Sequence, residues 1–227
     1  MGVHITVAGG PELERISREL VRRYPEEARK AVRMGVQESL NRTKARGIKL
    51  STAEYTMTAE GKRKVAASVR IRKPGPDELT GEVSFTGKPG TPLRYFRASP
   101  KRAVPDLRGV SPYKRRPKEG VKVKVRRAGG FRPARGPRGE KTFWFKKNGA
   151  VLLGYRDPNR YTTVTKKGKR KSWKERVQMI STKGLFGASP IQAISKEQTF
   201  RELSQYAEDA MRKRIAHQLD RLMKAKG

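Results

Sequence analysis

Lysine and arginine are the residues of this chain whose number and grouping could do chemistry. There are 55 of them against 21 Asp and Glu in 227 residues, a formal net charge of +34. Residues 100–183 alone hold 27 cations and 5 anions. A surface this charged repels itself unless a polyanion or an acidic partner lies beside it. Nucleic acid is the first such partner, because neutralising phosphates releases counterions and gives affinity without reading sequence. The candidate phosphate contacts are Lys114, Arg115, Arg116, Lys118, Lys122, Lys124, Arg126, Arg127, Arg132, Arg135 and Arg138. A second group is Lys166, Lys167, Lys169, Arg170 and Lys171. The competing reading makes these side chains solvated extensions, or sockets for an acidic protein neighbour. No helix-turn-helix, zinc-finger or RNA-recognition signature accompanies them, so sequence-specific readout is not expected. Tyr95, Phe96, Phe131 and Trp144 have rings that could stack on bases. Tyr95, Phe96 and Trp144 read better as core, whereas Phe131 stands in a Gly-rich loop.

Catalysis has little to stand on. His4 and His217 lie at opposite ends of the chain, and His217 falls on the polar side of a helix. There is no cysteine, which removes disulfides, thiolate metal sites and a thiol nucleophile. No acidic cluster has metal-ligand spacing. Gly81…Gly87-Lys88 resembles a phosphate-binding loop only superficially, with one residue too many and Pro89 where a hydroxyl should hold magnesium. No G-x-S-x-G or H-E-x-x-H occurs. No cofactor is implied. A nuclease remains the third-ranked reading, short of an acid/base or metal constellation. No apolar run approaches the roughly 20 residues that span a bilayer. The N-terminus lacks a signal-peptide layout. The expectation is a protein made in a cytoplasm, with no membrane partner.

The elements that must position the cations follow from periodicity. Residues 11–46 read as helical. Leu13, Ile16 and Leu20 form one stripe. The chain restarts at Pro25 with Glu26 and Glu27 in the first turn, and Val32, Val36 and Leu40 carry a second stripe that Gly47 should end. Alternation predicts strands at Val65–Lys73, Thr80–Thr86 and Val121–Arg126. Thr142–Lys147 and Ala150–Tyr155 flank Asn148-Gly149, a strong hairpin signal because a type I′ turn needs two positive φ angles. Ten of the 14 prolines fall between Pro74 and Pro137, so segments 87–120 and 127–140 read as long basic loops, too long to be casual. Ser195 and Gln198 predict a capping box for a terminal helix carrying Phe200, Leu203, Ala207, Met211, Ile215, Leu219 and Leu222 at steps of three or four. That helix has more apolar face than a small sheet needs. Leu219 and Leu222, with Leu185 and Phe186, are therefore candidates for a subunit interface.

The order of these parts carries a resemblance. A helical region leads to a strand ending Arg70-Ile-Arg-Lys-Pro74, then Pro92-Leu-Arg-Tyr-Phe-Arg97, Gly120–Arg127, an aromatic strand at Phe143–Phe145, and Leu185-Phe-Gly-Ala-Ser-Pro-Ile-Gln192 before the last helix. This resembles the minor tail protein Z family of long-tailed bacteriophages and prophages. Those proteins close their sheet region on an aromatic-Gly-Pro-Ser-small-Pro-Gln pattern. Phe186, Gly187, Ser189 and Gln192 match it, while Ala188 stands where proline is usual and Pro190-Ile191 is reversed. The similarity runs loosely from about residue 25 to 200. It implies a virion structural protein that completes the tail and joins it to the DNA-filled head. A homo-oligomeric, sixfold ring is implied, with tail terminator, tail tube, tape-measure or head-connector proteins as neighbours and double-stranded DNA held non-specifically.

The expected fold is α+β: N-terminal helices, a small antiparallel sheet with long basic Pro/Gly-rich loops, and a long C-terminal helix. It is expected as one domain over 1–227, with a helical region at 11–46, the sheet at 65–155, a basic connector at 156–194 and the helix at 195–226. The expected function is that of a tail-completion or neck component, located in the virion and assembled in the host cytoplasm. The alternative is a ribosomal or other RNA-binding protein, since basic arms on a small α+β core also suit packing among RNA helices.

Overall fold

A computed structural model describes residues 2–8, 22–76, 78–87, 90–100, 119–167 and 172–226. The fold is α+β, with three helices and antiparallel sheets among the described residues. The chain forms two compact units. The first comprises residues 1–54, 59–89 and 189–227, and the second residues 55–58 and 90–188.

The first unit is built on two long helices, α1 (Pro25–Ala53) and α3 (Glu197–Lys226). Pro25 needs no amide partner at the first helical position, and Glu26 and Glu27 face the positive end of the helix dipole. Val32, Val36 and Leu40 are fully buried, as are Leu203 and Ile215 on α3. The two helices approach so closely at Gly35 that a Cβ there would lie 2.8 Å from the Ile215 Cα. Gln218, itself buried, donates from Nε2 to Glu38 at 2.7 Å and ties the same crossing. A three-stranded antiparallel sheet, in the order β1 (Gly2–Ala8), β3 (Thr80–Thr86), β2 (Val69–Arg72), packs on α1. Its register aligns Ile5, Val83 and Ile71 in one row and Val3, Phe85 and Val69 in the next, which gives one face to the core.

Three sequence expectations change here, and a fourth is not described. Gly47 does not end α1, because it lies beneath the Phe85 ring, where a side chain would collide; its value is the close approach, not a cap. The strand expected from Val65 begins only at Val69. Residues Ala59–Ser68 form helix α2, since Val65 and Val69 stand four apart and suit a helical face as well as a strand. The capping box does not form: the Ser195 hydroxyl donates back to the Gln192 carbonyl at 2.7 Å, closing a 3-10 turn at Pro190–Ala193, and the helix starts at Glu197. The stripe at Leu13, Ile16 and Leu20 lies outside the described residues.

The second unit contains three small antiparallel sheets rather than part of one. Strands β4 (Gly90–Pro92) and β11 (Phe186–Ala188) pair. Strands β5 (Arg97–Ser99), β6 (Lys122–Lys124) and β7 (Arg132–Pro133) form a second sheet. Strands β8 (Thr142–Lys147), β9 (Ala150–Lys167) and β10 (Ser172–Ser181) form the third, in the order β10-β9-β8. Asn148 and Gly149 have φ of 48° and 75°, the positive pair that a type I′ hairpin requires. Residues 156–194 are not a connector. Strand β9 runs on to Lys167, and β10 returns beside it. The core of the unit gathers Tyr55, Tyr95, Phe96, Val121, Val123, Leu153, Tyr155 and Leu185.

Candidate nucleic-acid interface

Two cationic surfaces emerge in the second unit. The first is a cleft. Alternation in β6 buries Val121 and Val123 and leaves Lys122 and Lys124 on the outer face. Antiparallel pairing sets Arg97 directly opposite Lys124. Beyond this pair the two strands diverge, and residues 55–58 enter between them. The Thr56 amide donates to the Val125 carbonyl at 2.9 Å, the Arg97 amide to the Thr56 carbonyl at 2.9 Å, and the Thr58 amide to the Tyr95 carbonyl at 2.8 Å. The Thr56 hydroxyl donates to the Lys124 carbonyl, and Arg127 Nε to the Tyr55 carbonyl at 3.3 Å. The result is a cleft of about 480 Å³ walled by Tyr55–Thr58, Arg97, Lys124 and Arg127, with no carboxylate in its lining. The Arg97 guanidinium also stands 5.9 Å from the centre of the Phe131 ring.

The second surface is a ribbon. Strand β8 pairs with β9 only as far as Tyr155, whereas β10 continues beside β9 to Lys167. A register shift between Gln178 and Ile180 sets the bend: Asp157, Pro158, Asn159 and Arg160 stand against Met179 alone. The Asn159 amide donates to Asp157 Oδ1 at 3.0 Å, and Arg138 Nη1 to Asn159 Oδ1 at 3.0 Å. Past the bend, Tyr161, Thr163 and Thr165 share one face with Gln178, Arg176 and Lys174, cross-strand partners in register. The Arg176 guanidinium lies over the Tyr161 ring at 4.4 Å. Glu175 belongs to the opposite face, paired with Val164.

The sequence candidates distribute unevenly. Lys124 and Arg127 line the cleft. Lys122 is engaged with Glu119 at 2.5 Å, and that hydrogen bond and the attached charge hold the exposed Glu119 carboxyl below the usual range. Arg126 bridges through its backbone to Tyr55, and Arg132 is exposed opposite Val123. Arg135 is exposed and paired through its backbone with Lys141. Arg138 is committed to the Asn159 turn, which removes it from the set of open cations. Lys166 and Lys167 occupy the far end of β9. Lys114, Arg115, Arg116, Lys118, Lys169, Arg170 and Lys171 lie outside the described residues. Arg97, Lys174 and Arg176 were not among the sequence candidates. For Lys174 and Arg176 a signal existed, the alternation Lys-x-Arg-x-Gln over 174–178.

Of the interface candidates, Leu185 and Leu219 are corrected to core residues, 3% and 2% exposed, which leaves neither side chain free to meet another copy. Phe186 is 54% exposed, and Leu222 is half-buried. Tyr95 and Phe96 are buried as expected, while Trp144 is only half-buried and donates from Nε1 to the Pro100 carbonyl at 3.2 Å. His4 pairs with Glu82 on the sheet surface, and His217 is exposed. No cluster of three or more His, Asp or Glu stands ready for a metal ion among the described residues, and no helix there is long and apolar enough to cross a membrane. The chain matches no family model, no curated protein and no solved structure.

Proposed function

We propose that the chain is a virion structural protein of a long-tailed bacteriophage, a tail-completion or neck component that acts by assembly at the head–tail junction, with double-stranded DNA beside its cationic surfaces. The assignment to a tail rests on the resemblance to the minor tail protein Z family in the order of parts and in Phe186, Gly187, Ser189 and Gln192. The observation that carries the DNA side is the ribbon face. Tyr161, Thr163, Thr165, Lys174, Arg176 and Gln178 offer hydroxyls, an amide and two cations on one surface without a carboxylate. A two-stranded ribbon can lie along a duplex, and hydroxyl, amide and cation contacts to its phosphates carry no sequence information. Copies arranged as a ring, six in the expected case, would repeat that face around a channel. The exposed Phe186 is a candidate contact between neighbouring copies.

The test is the copy number of the protein in purified, nuclease-treated particles, by quantitative mass spectrometry against the major tail protein. A fixed small number near the ring's symmetry supports the proposal. Absence from particles with recovery in the ribosomal fraction overturns it and favours the RNA-binding alternative.

A further inference from the structure

We infer that the cleft between residues 55–58 and the β5–β6 pair is a site for single-stranded DNA, separate from the duplex-facing ribbon. This rests on the DNA part of the proposed function. The cleft, about 480 Å³ and open to solvent, has room for one or two nucleotides. Its cations come from three elements: Arg97 from β5, Lys124 opposite it on β6, and Arg127 from the turn that follows. None of the three makes an ion pair with a described residue. Arg127 is fixed by its bond to the Tyr55 carbonyl, so its charge is pre-positioned.

Phe131 supplies the second, independent observation. It is a large apolar side chain left 39% exposed, and the Arg97 guanidinium that lines the cleft lies over its ring. Cations tracking a backbone beside an aromatic platform are the chemistry that holds single strands, because every base has a face that can stack and no particular base is demanded. In a duplex the bases are stacked on one another and the ring has nothing to receive. Phosphates on Arg97, Lys124 and Arg127 with a base on Phe131 therefore select unpaired strands by shape.

The experiment is fluorescence anisotropy of the full-length chain with labelled dT15 and with a 15-base-pair duplex, over a series of salt concentrations. Phe131→Ala is expected to weaken dT15 binding about 5- to 160-fold, the range for losing one base–aromatic stack, and to leave duplex binding within twofold. Phe131→Trp keeps dT15 binding, which separates loss of the ring from loss of the fold. Replacing Arg97, Lys124 and Arg127 together by Gln lowers the salt slope for dT15 by about 2, from roughly 0.7 per phosphate contact. Equal losses on both DNAs, or no loss on either, overturn the single-strand site while leaving the proposed function standing. A wild-type chain that binds neither DNA at low salt overturns the DNA part of that function, and this site with it.

Discussion

Replacing Gly35 by alanine sets two effects of opposite sign against each other, and the structure decides between them. In an exposed helix the change gains about 1 kcal/mol, since glycine is the poorer helix former by that amount. At Gly35 the new methyl would lie 2.8 Å from each of three Ile215 atoms: the Cα, the backbone N and Cγ1. Two of the three belong to the α3 backbone and cannot rotate away, so relief requires the helices to separate along a crossing that also buries Val32, Val36 and Leu219. Overpacking a core in this way costs about 1–3 kcal/mol. The rigid contact places the cost at the upper end, and the net loss is about 2 kcal/mol. For a chain of this size that lowers the melting temperature by about 4–8 °C. Thermal unfolding followed by helical circular dichroism measures it, because both helices report. Ile215→Ala in the Gly35→Ala background removes Cγ1 but leaves Cα and N, so a double-mutant cycle should recover only part of the clash. A Gly35→Ala protein as stable as wild type, or more stable, would refute the close helix crossing.

Three further outcomes are expected. Replacing Lys174 and Arg176 by Gln removes two ribbon cations and should reduce the salt slope of duplex DNA binding by about 1.8, at roughly 0.9 per phosphate contact; an unchanged slope in anisotropy titrations removes the ribbon from the DNA surface. Gly149→Ala meets open space but must hold a φ of 75°, so it should cost about 1–2 kcal/mol in denaturant unfolding through backbone strain alone, whereas Gly149→Asn should cost less. Glu119 should titrate below an ordinary glutamate by NMR, and Lys122→Gln should move it back up. Because its folded pKa is the lower one, any stabilising effect of the Glu119 charge is present above the unfolded glutamate's pKa and fades as pH falls through the folded value; Glu119→Gln and wild type should converge in melting temperature at acid pH.

Local signals were legible where one periodicity had one interpretation. Thr80–Thr86 and the Asn148-Gly149 hairpin follow from alternation and turn chemistry, and the helical restart at Pro25 follows from its missing amide. Legibility failed where one pattern served two structures. Val65 and Val69 fit both periods, and Gly47 fits both a helix end and a close packing site, with only Phe85 deciding. The strand expected to end at Tyr155, with a connector from 156, instead continues through a bend at Asp157-Pro158-Asn159, where the Asn159 amide and Arg138 satisfy polar groups and pairing resumes at Tyr161.

The cleft was illegible for a different reason. Arg97 and Lys124 are brought opposite each other by strand register, and Arg127 is turned toward them by a carbonyl of Tyr55, a residue more than seventy positions earlier in the chain. No spacing in the sequence encodes that meeting. The basic runs, conspicuous in composition, pointed toward polyanions in general. Of the three cleft cations, Lys124 and Arg127 stand within the basic stretch 122–127 and Arg97 stands apart from it, and each is placed by a backbone hydrogen bond or a strand partner. Density of charge therefore marks which class of partner to expect, while strand register and one backbone hydrogen bond decide that Arg97, Lys124 and Arg127 meet. Mutating Lys166 and Lys167, and separately mutating Arg97, Lys124 and Arg127, should consequently separate overall affinity from the preference for unpaired DNA.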